Sequence, residues 1–167
     1  MDTKEAARNS FIFTGLQDDE LDAVLNITRE KRFCEGDAIM QEGDGGDTMY
    51  MVVEGEVGIS KTLTMKFGDD DFRKTEKVLT RFRPEDNVVI GEMALICQDS
   101  RSASVLANTD CVLLEISRED FVRLVESRPE LGVKILLKLS ELLVGRIRHA
   151  NEDVIRLTTA LSIALSK

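Results

Sequence analysis

At 167 residues and 18.7 kDa, with 43% hydrophobic and 32% charged residues, the chain has the size of one globular domain plus a modest extension, and a large multidomain enzyme is excluded. Twenty-two Lys and Arg against 31 Asp and Glu leave a net charge of −9, which repels nucleic acid unless a local basic face is present, and none is visible. The leucine-rich C-terminal stretch is interrupted by Lys134, Lys138, Glu141, Arg146 and Arg148 and the opening MDTKEAARNS has no apolar signal core, so a cytosolic protein with no membrane partner is expected.

The first periodic segment is 16–28, where Leu16, Leu21, Val24, Leu25 and Ile27 fall at helical spacing behind the acidic start Asp18-Asp19-Glu20, a short amphipathic helix with negative charge at its N-terminus. From Lys31 to Ile116 the texture changes to short apolar runs, such as Tyr50 to Val53, Asn87 to Ile90 and Cys111 to Leu114. Turn clusters at 42–47 and 68–71 separate them, the pattern of an antiparallel sandwich or barrel. Residues 57–82 read as a solvent-facing hairpin around Gly68. Three carboxylates at that turn mark a solvated tip rather than a calcium loop, because no ligand spacing follows.

At Ser117 helical signals return, with Ser117 as cap, Glu119 and Asp120 in the first turn, and Phe121, Leu124 and Val125 on one face. Pro129 opens a further helix that continues to about Ser166 without an internal proline and is about 55 Å long if unbroken. Leu143, Ile147, Ala150, Val154, Leu157, Leu161 and Ala164 repeat as a heptad seam over three repeats. A second copy of the chain is the implied partner. The competing reading is an amphipathic helix folded back on its own sheet. The expected organisation is a β-roll domain with an N-terminal helix over 1–128 and a dimerisation or lid helix over 129–167.

Cys34, Cys97 and Cys111 form no Cys-x-x-Cys pair, and His149 is the only histidine. Neither a zinc site nor a histidine-rich metal cage can be assembled from these residues, so no metal and no cofactor are expected. A lone histidine also makes a phosphodiesterase or other hydrolase remote, and the chain reads as a non-enzyme. Cys97 reads as a small apolar filler and His149 as a surface residue of the helix.

The stretch Val89 to Val105 carries the chemistry. Gly91 permits close backbone approach, Glu92-Met93-Ala94-Leu95 can form one helical turn with free N–H groups, and Arg101 supplies a fork matched to two phosphate oxygens. Glu92 cannot hold a phosphate, but it can accept from a sugar hydroxyl. The pair therefore points to a nucleotide.

With these residues in hand, the chain resembles the cyclic nucleotide-binding domain family of catabolite activators, cyclic-AMP-dependent kinase regulatory subunits and cyclic-nucleotide-gated channels. The upstream pattern is met by Phe33, Gly36, Ile39, Glu42-Gly43-Asp44, Asp47, Tyr50, Gly55 and Val57, and the phosphate-binding cassette by Gly91 to Leu95 and Arg101-Ser102-Ala103. The resemblance implies a mainly β fold, a double-stranded β-helix or jelly roll with flanking helices and a long C-terminal helix. It implies that Arg101 pairs with the exocyclic phosphate oxygens, that Ser102 hydrogen-bonds the phosphate, and that Glu92 accepts from the ribose 2′-hydroxyl. Backbone groups of Gly91, Met93 and Ala94 line the cradle, and Leu95 packs inward.

The chain departs from the family pattern at Ile90, usually Phe, and at Asn87-Val88, where Gly-Asp is usual. Asn87 tolerates the left-handed backbone a glycine would adopt. Aligning the seam puts Ala150-Asn151 where catabolite activators meet the purine, so Asn151 is the candidate base contact, with a solvent-facing polar residue as the competing reading. Ser102 accompanies cyclic AMP in activators, and cyclic AMP is favoured over cyclic GMP. The rival function is a degenerate domain that keeps the fold, binds nothing and serves as a dimerisation module. No helix-turn-helix follows the seam, so the chain is expected to be a stand-alone sensor or a piece of a longer regulator, with no direct contact to nucleic acid.

Overall fold

The computed structural model describes residues 3–66, 72–97 and 99–166. Among the described residues eight strands form two antiparallel sheets. The first has the order β1 (Thr28–Phe33), β8 (Cys111–Ser117), β3 (Thr48–Glu54), β6 (Val89–Ile90). The second has the order β2 (Ala38–Met40), β7 (Ser104–Ala107), β4 (Val57–Lys66), β5 (Phe72–Phe82). This is the jelly-roll expectation in detail. β4 and β5 pair from Val57↔Phe82 to Lys66↔Phe72, and the turn at 68–71 read from the sequence lies outside the described residues.

Two apolar layers flank the first sheet, because alternate residues of a strand face opposite sides. Tyr50, Val52, Cys111 and Leu113, with Ile90 of β6, face the second sheet, where they meet Met40, Val57 and Val105. Met49, Met51, Val53, Leu114 and Ile116 face outward and are covered by helices. The covering helices are α1 (Thr3–Asn9), α2 (Asp18–Leu25), α4 (Arg118–Ser127) and the start of α5 (Pro129–Leu165), together with a 3-10 turn at Phe11–Phe13. A four-residue turn of helix, α3 (Met93–Ile96), follows β6.

Local rules account for the helix ends. Ser117 accepts from the Asp120 amide at 3.1 Å and caps α4, while Pro129 opens α5 where its missing N–H is harmless. Lys134 of α5 reaches back to Glu20 of α2 at 2.6 Å. That bond and the Gln17 amide hold the Glu20 carboxyl below its ordinary range, so the first helices and the last are tied together.

α5 runs unbroken for 37 residues. Leu131, Ile135 and Leu139 bury one face against the N-terminal helices, with Leu136 and Leu142 partly covered. From Arg146 onward every described residue is exposed. The helix thus packs for four turns and then projects for about 30 Å, so it does not fold back on its own sheet along its full length.

Of the seam read in the sequence, Leu143 is half-buried, while Ile147, Ala150, Val154, Leu157, Leu161 and Ala164 are exposed. Val133, Leu137, Val144, Ile147, Val154, Leu161 and Leu165 are all solvent-facing, and they share one heptad register, opposite the buried Leu131–Ile135–Leu139 face. Asn151 falls in this same stripe, four residues after Ile147 and three before Val154.

Candidate functional site

The cassette is a single excursion between β6 and β7, and backbone geometry shapes its entrance. Asn87 has φ 52° and Gly91 φ 75°, the left-handed conformation that asparagine and glycine tolerate best. Between them Val89 and Ile90 are 2% exposed, so Ile90 keeps the apolar anchoring that a Phe would supply. Leu95 packs inward at 3% exposure, while Met93, Ile96 and Cys97 are exposed. Cys97 is thus no buried filler. The short α3 ends at it and turns its side chain toward solvent and the cavity rim.

The far half of the cassette is zipped to the turn at 42–46. Gly43 N donates to Arg101 O at 2.9 Å, Arg101 N donates to Asp44 O at 2.8 Å, and Gly45 bridges Ser100 in antiparallel fashion. The Ser104 hydroxyl accepts from the Glu42 amide at 3.0 Å. These bonds hold residue 101 like a strand residue although it lies in a loop.

The Arg101 side chain then runs inward. Its Nη1 donates to the Thr48 carbonyl and its Nη2 to the Thr48 hydroxyl, both at 2.8 Å. Its flanks are glycines. A Cβ on Gly46 would stand 2.2 Å from Arg101 Nε, and one on Gly91 would stand 2.7 Å from Nη1 and 2.8 Å from the Thr48 carbonyl. The slot fits a guanidinium only because both walls lack side chains. Among the described residues Arg101 makes no ion pair with a carboxylate.

Glu92 is 2% exposed. Its Oε1 accepts from Arg146 Nη1 of α5, and Arg146 Nη2 donates to the Val89 carbonyl at 3.0 Å. Its Oε2 is buried with no hydrogen-bond partner among the described residues. A buried carboxylate oxygen without a donor costs free energy that a ligand hydroxyl would recover.

These groups surround one cavity of about 180 Å³, lined by Met40, Ile59, Gly91 to Ala94, Cys97, Asp99 to Ala103, Val105 and Arg146. Of the seven residues named from the sequence, Gly91, Glu92, Met93, Ala94, Arg101 and Ser102 are brought together on its wall. Asn151 is not. It sits on the exposed stripe of α5, more than a turn beyond Arg146, which is the helix residue that reaches the cavity. Gly46, Thr48 and Arg146 belong to the site and were missed, because each ordinary residue acquires a role only through tertiary placement. Among the described residues no cluster of His, Cys, Asp and Glu could hold a metal ion, and no helix is long and apolar enough to cross a membrane.

Comparison with known proteins agrees with this geometry. The family model for the cyclic nucleotide-binding domain matches residues 30–128, 99 of the 167 residues. The cyclic AMP receptor protein of Thermus thermophilus is 30% identical over 147 residues, covering 88% of this chain and 62% of that protein. A cAMP-dependent protein kinase regulatory subunit from Eremothecium gossypii is 30% identical over 74% of this chain and 24% of its own length. The crystal structure of Thermus thermophilus catabolite activator protein superposes with a TM-score of 0.75 at 30% identity, covering 89% of this chain and 63% of that one. The chain thus spans less than two thirds of the length of each of these three relatives. With a jelly roll, a glycine-walled arginine and a cassette in the matched region, the chain belongs to the cyclic nucleotide-binding domain family.

Proposed function

We propose that this chain is a non-catalytic cytosolic receptor for cyclic AMP, in which Arg101 takes the exocyclic phosphate oxygens, Ser102 adds a hydroxyl donor, and Glu92 accepts from the ribose 2′-hydroxyl. The observation that carries this reading is the pairing, across one cavity, of a guanidinium free of any described carboxylate with a buried carboxylate oxygen that has no donor. The first amides of the turn after Gly91 precede its hydrogen-bonded part and add dipoles facing the phosphate. Relatives named as cyclic AMP receptor and cyclic-AMP-dependent kinase regulatory subunit support cyclic AMP as a ligand.

Isothermal titration tests this reading. Cyclic AMP is expected to bind at one site per chain with micromolar or tighter Kd. The 2′-deoxy analogue is expected to lose about 1–3 kcal/mol, the cost of leaving a buried acceptor unpaired. Equal affinity for the two would remove Glu92 from the ribose. Absence of heat with any cyclic nucleotide would leave the chain as an idle dimerisation module.

The slot around Arg101 gives a second expected result. Gly46 has no left-handed backbone to protect, so Gly46→Ala mainly displaces the guanidinium. The variant is expected to melt close to wild type and to bind cyclic AMP at least about tenfold more weakly, the equivalent of one charge-assisted hydrogen bond.

The projecting half of α5 supports a homodimer. Its heptad stripe of Val, Leu and Ile is exposed in one chain, and pairing with a second copy is the economical way to cover it. Asn151 lies within that stripe, where a polar residue specifies register. It reaches a purine only when a second copy's helix delivers it across the seam. Sedimentation equilibrium is expected to show a dimer for the wild type and a monomer for Val154→Asp, and a monomeric wild type would overturn the pairing.

Signalling would follow from the link between cassette and helix. Arg146 joins α5 to Glu92, so a ligand that engages Glu92 shifts the preferred position of the helix by whatever affinity it gains in one position over the other.

A further inference from the structure

β8 crosses the middle of the first sheet as Cys-Val-Leu-Leu-Glu-Ile-Ser. Its one charged residue, Glu115, points between the sheets at 9% exposure. An ionised carboxylate in that layer loses hydration and persists only where partners replace it. The Tyr50 hydroxyl donates to Oε2 at 2.7 Å, and Lys31 Nζ stands 3.6 Å from Oε1. Tyr50 is directly opposite Glu115 in the β3–β8 ladder. Two positions before it, on the same face of β3, is Thr48, the residue that takes both bonds from Arg101. The row Lys31, Glu115, Tyr50, Thr48, Arg101 therefore spans the sheet from β1 to the cavity wall.

We propose that Glu115, acting through Tyr50 and Thr48, is a positioning residue for the Arg101 guanidinium and its remote counter-charge, an inference that rests on Arg101 being the phosphate site. Donor direction is consistent along the row. The guanidinium gives to the Thr48 hydroxyl oxygen and the phenol proton goes to Glu115, while Thr48 and Tyr50 project from the same face of β3, so the two bonds are neighbours in one row. The phenol senses both ends: burial pushes its ionisation above the ordinary value of 10, and Glu115 pushes it further. The Thr48 hydroxyl and the Arg101 charge act in the opposite sense. Hydrogen bonds aligned in this way polarise one another in a low-dielectric interior.

Setting the anion two side chains away has a consequence for binding. A carboxylate in contact with Arg101 would compete with an incoming phosphate for the same fork. A carbonyl and a hydroxyl fix the orientation of the fork and leave its charge to the ligand, while Glu115 offsets the cost of holding the cation half-buried.

The test uses the full chain and two readouts. In ligand-free protein, the Arg101 side-chain N–H resonances are expected to shift in both Tyr50→Phe and Glu115→Gln. The first keeps the ring in its edge-on contact with Phe33 and the second keeps an acceptor for the phenol. In titrations with cyclic AMP, Tyr50→Phe is expected to raise Kd roughly three- to tenfold, the range of one neutral hydrogen bond. In a Thr48→Val background the same replacement should change Kd less than about twofold, because the link is already cut. A merely structural tyrosine would lower the melting temperature and cost the same in both backgrounds, which overturns the proposal. Unchanged Arg101 resonances in both variants overturn it whether or not nucleotide binds. A wild type that gives no heat with cyclic AMP removes the phosphate-site reading, and the resonance arm still decides the row.

Discussion

Replacing Arg101 with alanine is expected to abolish useful binding of cyclic AMP while leaving the domain folded. Among the described residues the guanidinium is the cation on the cavity wall without a carboxylate partner, Arg146 being paired with Glu92, and its loss leaves the phosphate without a free counter-charge. Removing one partner of a buried charge pair costs about 2–5 kcal/mol, or roughly thirtyfold to several-thousandfold in Kd. The fold should survive because the loop is held by backbone bonds to Gly43 and Asp44 that do not involve the side chain. Arg101→Lys should recover little of the loss, since an ammonium lacks the two-pronged geometry that both Thr48 acceptors and a phosphate match. Calorimetry with a melting control checks this. A binding loss that merely tracks a fall in melting temperature would indicate a scaffold role instead.

The second large effect is on stability. Leu139 is 0% exposed and lies in the layer where α5 meets the N-terminal helices. Leu139→Ala should cost about 2–5 kcal/mol, the range for a buried leucine whose cavity cannot collapse. For a chain of this size that lowers the melting temperature by about 4–20 °C. The same helix offers its own control. Leu161, 59% exposed, lies on the projecting half, so Leu161→Ala should leave the melting temperature of the monomeric Val154→Asp background within about 2 °C. Equal effects at both positions would mean that the outer half of α5 packs on the domain.

Most of the architecture could be read before folding was considered, and the reasons are local. Ser117 and Pro129 mark helix starts by the hydrogen bonds they supply or lack, and Asn87 meets a left-handed backbone that few residues accept. The elements that escaped detection are those whose sequence carries little local signal. α1 contains no large apolar residue and is held by Ala6 and Ala7, both buried. β1 reads Thr-Arg-Glu-Lys-Arg-Phe with no alternation, and becomes a strand because it pairs in register with β8 from Thr28↔Ile116 to Phe33↔Cys111.

The site divides in the same way. Gly91, Glu92 and Arg101 are recognisable because a cassette concentrates them in one stretch. Thr48, Gly46 and Arg146 come from a strand, a turn and a helix that meet only in the fold. Arg146 in particular resembled a charge interrupting an apolar stretch. Its partner is a buried carboxylate 54 residues away, and no periodicity argument could supply it.

The most direct measurement is a crystal structure of the chain with cyclic AMP. The exocyclic phosphate oxygens are expected on the Arg101 fork between Gly46 and Gly91, with the 2′-hydroxyl on Glu92 Oε2. A nucleotide bound elsewhere, or one seated in the cavity with its phosphate away from Arg101, would contradict this placement.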